Sequence, residues 1–313
     1  MNPSPPPRNK STNVRPVTLQ AFAVMIRAVG AVQPNLAARM MLKAFCTPRR
    51  LAAPAWAKGL EPEREFLTLQ GEQIAVYRWS PSLNGKKVLL AHGWNGCSQQ
   101  LRSVVEPLRS RGYAVYAFDQ AAHGSSSGTT SNLIHFARTL SAVRQHLGPV
   151  HAIIAHSLGA PAAAFAISQG LPVERLVMIA PPAHPIKIIG DFWRSLKIAD
   201  ALAQRMNGVI ERTEGALLSQ LDLSQLARHL AMPTLIIHDR MDREVPFNDG
   251  EEWSLNLSDA QLLATEGLGH NRLLAASVVT EAISRFMDGE RVTPRGTKRV
   301  GSELGAPVSA RVL

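Results

Sequence analysis

The pattern of hydrophobic positions between residues 61 and 287 predicts alternating strands and helices. REFLTLQ and EQIAVYRW alternate apolar and polar residues around Gly71, which is typical of a β-hairpin. Continuous apolar runs follow, as in strands buried on both faces: KKVLLAH, YAVYAFD, VHAIIAH, ERLVMIA and PTLIIHD, then the shorter AQLLAT. Helical patterns lie between them, at residues 99–109, 133–147, 158–168, 246–257 and 273–287. This alternation predicts an α/β fold, with a mostly parallel central sheet and helices on both of its faces.

The alternation is interrupted after the ERLVMIA strand. Roughly 50 residues separate this strand from PTLIIHD, which is too many for a loop in a compact domain. They include the helical pattern RSLKIADALAQRMNGVIERTEGALLSQL. We therefore predict that residues 184–228 form a small helical cap above one end of the sheet.

The two ends of the chain differ from this central domain. Residues 1–16, rich in Pro, Ser and Asn, predict a disordered tail, and residues 288–313 lack apolar periodicity, which predicts a flexible one. Residues 17–60 predict a basic helical segment, whose apolar stretch is shorter than a membrane span and contains Arg27. Two interpretations of that segment stay open: helices packed on the main domain, or a surface in peripheral contact with an anionic membrane.

Composition and charge limit the classes of function. The chain has 313 residues, of which 45% are hydrophobic, and a formal net charge of +10. Residues 1–60 contain nine basic residues and no acidic one, so the central domain is nearly neutral and we expect no nucleic-acid partner. The only cysteines, Cys46 and Cys97, predict neither a disulfide framework nor a metal site. They fit a cytoplasmic protein.

The junction between a buried strand and the next helix carries the first candidate for chemistry. In IIAHSLGAPAAAFA the chain reverses within two residues at Ser157, and the small residues Ala155 and Gly159 flank that turn. The N–H groups at the start of the following helix would point toward a developing negative charge beside the hydroxyl. This arrangement predicts a serine nucleophile rather than a helix cap.

A serine nucleophile requires a base and a carboxylate that orients it. His270, in GLGHNRLL, follows the last predicted strand, and Asp239 and Asp242 follow the strand PTLIIHD. Because the carboxyl ends of parallel strands meet at one edge of a sheet, we expect these groups to lie close to Ser157. Either aspartate could orient His270 on this argument.

Four segments together resemble the α/β-hydrolase superfamily, over residues 65–287. AHSLG resembles its nucleophile elbow with Ala155 in place of the first Gly, and the order Ser, Asp, His along the chain is that of the superfamily. HDRMDREVP resembles the segment H-G-x-x-D-x-x-V-P, which implies Asp242 as the acid and keeps Asp239 in reserve. DQAAHGSS resembles D-x-x-G-H-G-x-S, a mainly structural element. Within the superfamily, the sequence looks like the small bacterial esterases and serine-aminopeptidase-like hydrolases.

The fourth segment, AHGWNG, resembles the oxyanion turn of the superfamily. It implies that the backbone N–H groups of Trp94 and Leu158 stabilise the oxyanion, and that the indole of Trp94 is a wall of the substrate pocket. In the predicted cap, Phe192 and Trp193 either line an acyl pocket or fasten the cap to the domain.

These residues together predict a serine hydrolase that cleaves a carboxylic ester of a small molecule through an acyl-enzyme. The mechanism requires no metal and no organic cofactor. Amide, thioester and lactone hydrolysis use the same groups and stay open. A second class stays open as well, a non-catalytic binding module on the same fold, in which the basic segment is the functional surface.

Overall fold

A computed structural model describes residues 16–50, 53, 55, 56, 58–79 and 85–292. Nearly all of the two tails predicted at residues 1–16 and 288–313 therefore lies outside the described residues. The predicted basic segment, the central domain and the cap are described over most of their length.

Eight strands form one sheet in the order β1-β2-β4-β3-β5-β6-β7-β8. β1 pairs with β2, and β2 with β4, in antiparallel fashion, whereas all pairs from β4 to β8 across the sheet are parallel. The mostly parallel sheet predicted from the apolar runs is thereby confirmed. The strand bounds are Glu63–Leu69, Glu72–Trp79, Lys87–Ala91, Ala114–Phe118, Ala152–His156, Arg175–Ile179, Thr234–Asp239 and Ala260–Thr265 for β1 to β8.

The central strands are continuous apolar runs because both faces of the sheet are covered. Along β5, Ile153 and Ala155 belong to one hydrophobic cluster, whereas Ala152 and Ile154 belong to another on the opposite face. Successive side chains of a strand point to opposite faces, so each face needs its own layer of helices. All four residues are fully buried.

The α-helices that cover the sheet and form the cap follow the predicted order, with two differences. The segment predicted as a helix at 99–109 is a 3-10 helix, Ser98–Val104, followed by α3, and the last predicted helix is interrupted at Ala276, whose ψ of 131° is extended. The α-helix bounds are Pro16–Val32, Pro34–Phe45, Val105–Arg109, Leu133–Leu147, Gly159–Ser168, Pro185–Ser195, Asp200–Glu214, Leu223–Leu226, Phe247–Asn256, Gly269–Arg272 and Ser277–Met287 for α1 to α11.

The helices α1 and α2 pack against the cap helices of residues 184–228. Helix α2 lies along α7, and the guanidinium of Arg27 in α1 donates a hydrogen bond of 2.8 Å to the carbonyl of Leu196 after α6. A Cβ on Gly30 would lie 2.9 Å from the side chain of Leu202, so α1 approaches α7 closely. None of the helices among the described residues has the length and apolar character that spanning a lipid bilayer requires.

A buried carboxylate connects the cap to the main domain. Glu214, at the end of α7, accepts hydrogen bonds from Asn132 Nδ2 at 2.8 Å, His135 Nε2 at 3.0 Å and Arg138 Nη1 at 2.7 Å. Burial alone would raise the pKa of Glu214, but the hydrogen bonds from His135 and Asn132 outweigh it and lower that pKa. These bonds fix the end of α7 to the start of α4.

Candidate active site

Ser157 occupies a sharp turn between β5 and α5. Its φ is +51°, in the left-handed region that residues other than glycine seldom adopt. Its N–H donates to the carbonyl of Ile179 at 2.8 Å, which attaches the turn to β6. The neighbouring backbone comes very close: a Cβ on Gly93 would lie 2.7 Å from Ser157 Cβ, and one on Gly159 would lie 2.6 Å from the carbonyl oxygen of His92. Both glycines are therefore required by packing.

His270 and Asp242 form a hydrogen-bonded pair at the same edge of the sheet. His270 Nδ1 lies 2.7 Å from Asp242 Oδ2, and the side chain of Asp242 is fully buried. The other carboxylate oxygen accepts the N–H groups of Glu244 at 2.8 Å and Val245 at 3.0 Å. Burial would raise the pKa of Asp242, but its interactions with His238 and His270 outweigh that effect and hold the pKa well below its ordinary value. Asp242 is thus a carboxylate at neutral pH, placed beside the ring of His270.

Asp239, the alternative acid, has different partners. Its Oδ2 accepts hydrogen bonds from Thr265 Oγ1 at 2.8 Å and from the N–H of Leu268 at 2.9 Å, and its Oδ1 accepts from the N–H of Met241 at 3.0 Å. These contacts hold the loop that precedes His270. The geometry therefore favours Asp242 as the partner of the imidazole and gives Asp239 a positioning place in the loop.

Ser157 and His270 line one cavity, although no hydrogen bond joins their side chains in the described part of the molecule. A second histidine supports the backbone of His270. His156 Nε2 lies 3.1 Å from the carbonyl oxygen of His270, and the rings of the two histidines are 4.7 Å apart. Burial and the proximity of His270 lower the pKa of His156 to about 3. A neutral His156 therefore donates to that carbonyl.

The two N–H groups predicted for the oxyanion are unoccupied by protein acceptors. Neither Trp94 nor Leu158 donates its backbone N–H to any described residue. The turn that carries Trp94 is fixed by His92, whose Nδ1 lies 2.7 Å from the carbonyl of Gly93 and whose Nε2 accepts the N–H of Gln120 at 3.0 Å. Burial lowers the pKa of His92, which keeps it neutral in this role.

The segment DQAAHGSS has a structural role around Asp119. The carboxylate accepts hydrogen bonds from Ser98 N–H and hydroxyl, from Tyr77 at 2.9 Å and from the N–H of Ser125 at 2.8 Å. Ala122 adopts a φ of +65° where the resemblance has glycine, and a Cβ on Gly124 would lie 2.1 Å from Asp119 Oδ2. The loop is therefore built around this buried carboxylate.

A cavity of about 360 Å³ lies between the main domain and the cap. Most of its lining is apolar and comes from the elbow, the cap and the end of α2. Its lining residues are Phe45, Cys46, Trp94, Ser131, Asn132, Leu133, Ile134, Ser157, Leu158, Pro182, Pro185, Ile186, Ile188, Ile189, Phe192, Ile210, Leu218, Leu221, Glu244, Val245 and His270.

Of the two aromatic residues predicted in the cap, one lines the cavity and the other does not. Phe192 lines it, whereas Trp193 does not: Trp193 is 1% exposed, and its ring packs 6.0 Å from the ring of Phe45 at the end of α2. The structure thus contradicts the prediction that Trp193 lines the pocket and favours the second alternative, that it fastens the cap. The sequence patterns missed Phe45 and Cys46, which enter the lining only through the packing of α2 on the cap.

The two cysteines are buried and free. Burial, followed by the nearby charge of Glu214, raises the pKa of Cys46 to about 12. Burial and then Asp119 raise the pKa of Cys97 to about 11. Both are thiols at neutral pH, so neither competes with Ser157 as the nucleophile.

Sequence comparison finds relatives named as halide-oxidising enzymes. The chain is 26% identical over 249 residues to a non-heme haloperoxidase of Rhodococcus erythropolis, covering 64% of this chain and 90% of that protein. It is 24% identical over 257 residues to a non-heme chloroperoxidase of Streptomyces lividans, covering 66% and 92%.

Solved structures of the same fold include esterases. Est1E of Butyrivibrio proteoclasticus, with ferulic acid bound, has a TM-score of 0.59 at 18% identity, covering 72% of this chain and 98% of Est1E. A Pyrococcus furiosus esterase has a TM-score of 0.58 at 20% identity, covering 79% and 98%. The sequence model of the alpha/beta hydrolase family matches residues 88–292, well over half of the chain, and the chain belongs to this family.

Proposed function

We propose that the protein is a serine hydrolase that cleaves carboxylic esters with an apolar acyl group. The observation that carries the proposal is the place of His270, bonded to the buried Asp242 at 2.7 Å, on the same cavity as Ser157 at its strained turn. A structural histidine would need neither a buried carboxylate partner nor a place on a cavity beside a serine nucleophile.

The reaction follows from these positions. His270 Nε2 accepts the proton of the Ser157 hydroxyl while its oxygen attacks the ester carbonyl. Asp242, fixed by two backbone N–H groups, holds the proton on Nδ1 and stabilises the imidazolium that forms. His270 then gives the proton to the leaving alcohol, and an acyl-enzyme remains. Water repeats the steps with the same base and releases the acid.

The free N–H groups of Trp94 and Leu158 supply the electrostatic part of the proposal. The carbonyl oxygen becomes an oxyanion in the tetrahedral intermediate and accepts both hydrogen bonds there. Because neither N–H has a protein acceptor among the described residues, no internal bond is broken when the oxyanion forms. Gly93 lies against Ser157, which places the turn that carries Trp94 beside the nucleophile.

The lining of the cavity supports an apolar acyl group as the substrate portion held beside Ser157. Phe45, Ile189 and Phe192 line it together with other aliphatic residues, so an alkyl or aryl chain would be removed from water there. No arginine or lysine lines the cavity among the described residues, which disfavours an anionic acyl group.

The test is the hydrolysis of p-nitrophenyl esters by Ser157→Ala. We expect activity to fall by at least about 10⁴-fold, since the remaining groups cannot form the acyl-enzyme. Ser168→Ala, at the other end of α5, is the control and should keep wild-type activity, because its hydroxyl bonds only to Phe165 in the same helix and to the adjacent Gln169. Wild-type protein without esterase activity would favour the binding module, and activity retained by Ser157→Ala would refute the proposed nucleophile.

The two haloperoxidase relatives favour a second candidate, perhydrolysis at the same site. The carboxylic acid would acylate Ser157 with loss of water, and hydrogen peroxide would then attack the acyl-enzyme in place of water, releasing Ser157 and a peracid. The peracid would oxidise bromide to hypobromite and return the carboxylic acid. Bromide oxidation that requires hydrogen peroxide and a carboxylic acid together, and that Ser157→Ala abolishes, would support it. Bromide oxidation at the buffer rate would rule it out.

A further inference from the structure

The outward surface of α1 is apolar, unlike the exposed side of an ordinary surface helix. Among the described side chains of α1, only Gln20 and Arg27 are exposed and polar. The other exposed residues are all apolar: Ala21, Val24, Met25, Ala28, Ala31 and Val32. Val24 is 57% exposed and Val32 is 81% exposed. We call these six residues the α1 outer face.

The α1 outer face is not the side that holds the helix on the protein. The opposite side packs through Ala23 and Ile26, both fully buried, and through Gly30 against Leu202. The helix is therefore anchored without the outer face. An apolar helical strip of this kind, exposed over most of a helix, is typical of a binding surface.

The charge around the outer face indicates what binds it. Residues 1–60 contain nine basic residues and no acidic one. The exposed residues Arg39, Arg205 and Arg212 line two adjoining depressions between α2 and α7, the helices on which α1 packs, and no acidic residue lines either depression within the described chain. Such a surface attracts an anionic partner.

We propose that the α1 outer face inserts into the surface of an anionic phospholipid bilayer, with the arginines of α2 and α7 near the headgroups. An apolar strip beside basic side chains fits the boundary between lipid tails and anionic headgroups. A second copy of the chain fits less well, because a two-fold contact through α1 would bring two strongly basic segments together.

The same helical layer carries part of the cavity. Ile188 is 43% exposed and Phe192 is 36% exposed, and both line the cavity. The ring of Phe192 lies 6.3 Å from that of Phe45 at the end of α2. Membrane binding through α1 would hold the cap at the lipid surface, where apolar esters collect.

The experiment is vesicle co-sedimentation of the full chain. Vesicles contain phosphatidylcholine alone, or phosphatidylcholine and phosphatidylglycerol at about 2:1, and NaCl is varied from about 0.05 to 0.5 M. We expect wild-type protein to pellet with the anionic vesicles and not with the neutral ones, and to be released as the salt concentration rises.

The test variant is Val24→Glu/Val32→Glu, which we expect to bind anionic vesicles at least about tenfold more weakly. The control, Leu255→Glu/Val278→Glu, makes the same change of charge at exposed apolar residues of α9 and α11, and should bind as wild type. Circular dichroism and hydrolysis of a soluble p-nitrophenyl ester should be unchanged in both, which separates this test from that of the nucleophile.

Three results would overturn the proposal: wild-type protein that does not pellet, equal weakening in both double variants, or equal binding to neutral vesicles. A wild-type dimer in sedimentation equilibrium that Val24→Glu/Val32→Glu dissociates, without vesicle binding, would assign the face to a second copy instead.

Discussion

Replacing Asp242 and Asp239 separately tests which carboxylate serves the imidazole. In Asp242→Asn the side-chain amide keeps one oxygen acceptor. The carboxylate uses one oxygen for the N–H groups of Glu244 and Val245 and the other for His270. If the amide oxygen keeps the N–H groups of Glu244 and Val245, the NH₂ group faces His270 Nδ1 and moves the ring proton to Nε2. The histidine can then no longer accept the proton of the serine.

The size of the effect follows from the distance. With the carboxylate bonded to Nδ1 at 2.7 Å, the charge centres of the pair lie about 4 Å apart, and their attraction is about 4 kcal/mol at an effective dielectric constant of about 20. A loss of that size slows the reaction by about 10³-fold. The unsuitable tautomer adds to it, so we expect kcat/KM of Asp242→Asn to fall by about 10³ to 10⁴.

Asp239→Asn should behave in the opposite way. Its oxygens accept hydrogen bonds from Thr265, Leu268 and Met241, so an NH₂ group there would face a donor and cost about 2 kcal/mol of folding free energy. We expect a lower Tm and a kcat within about tenfold of wild type per folded molecule.

The assay is ester hydrolysis at saturating and low substrate, with active-site titration and thermal unfolding of both variants. An Asp242→Asn enzyme with more than about a tenth of wild-type kcat/KM, beside an inactive but folded Asp239→Asn, would assign the acid to Asp239 and refute the reasoning.

Three further substitutions test the surroundings of the site. Gly93→Ala should lower kcat by about 10- to 100-fold, because its Cβ would lie 2.7 Å from that of the nucleophile and must displace the oxyanion turn; Gly190→Ala, where the nearest atom lies 3.8 Å away, is the kinetic control. Phe45→Ala should raise KM for short acyl esters about tenfold, through the loss of roughly 1.5 kcal/mol of apolar contact. The control Phe66→Ala, at an exposed residue of β1, should leave KM unchanged. Equal KM values for the two variants would show that α2 is not part of the substrate pocket. Glu214→Gln should lower the free energy of unfolding by about 2 kcal/mol. Since the folded-state pKa of Glu214 is lowered, that deficit should be full above about pH 4.5 and shrink as the pH falls below it, as urea titrations at several pH values would show.

The fold was predictable because its signals are local. Each buried strand is a short apolar run, and the turn at Ser157 needs small neighbours that stand beside it in the sequence. The strand-end positions of Asp242 and His270 follow from the same runs, since parallel strands end at one edge. The hydrogen bond between these two side chains is seen only in the structure.

The lining of the cavity was less predictable because it depends on how distant helices pack. Phe45 reaches the cavity only because α2 lies along α7, and no sequence pattern around residue 45 predicts that contact. Adjacent residues of the helix α6 point in different directions, so Phe192 lines the cavity and Trp193 enters the interior of the cap. Which side of a cap helix faces the cavity depends on the helices that it packs against, and the local sequence does not predict those partners.

Mapping a fluorophosphonate label by peptide mass spectrometry tests the proposed Ser157–His270 mechanism most directly. We expect one labelled residue, Ser157, and a loss of labelling in His270→Ala, because the hydroxyl then lacks its base. Labelling of another residue, or labelling of Ser157 at an unchanged rate without His270, would contradict the claim that these two side chains act together.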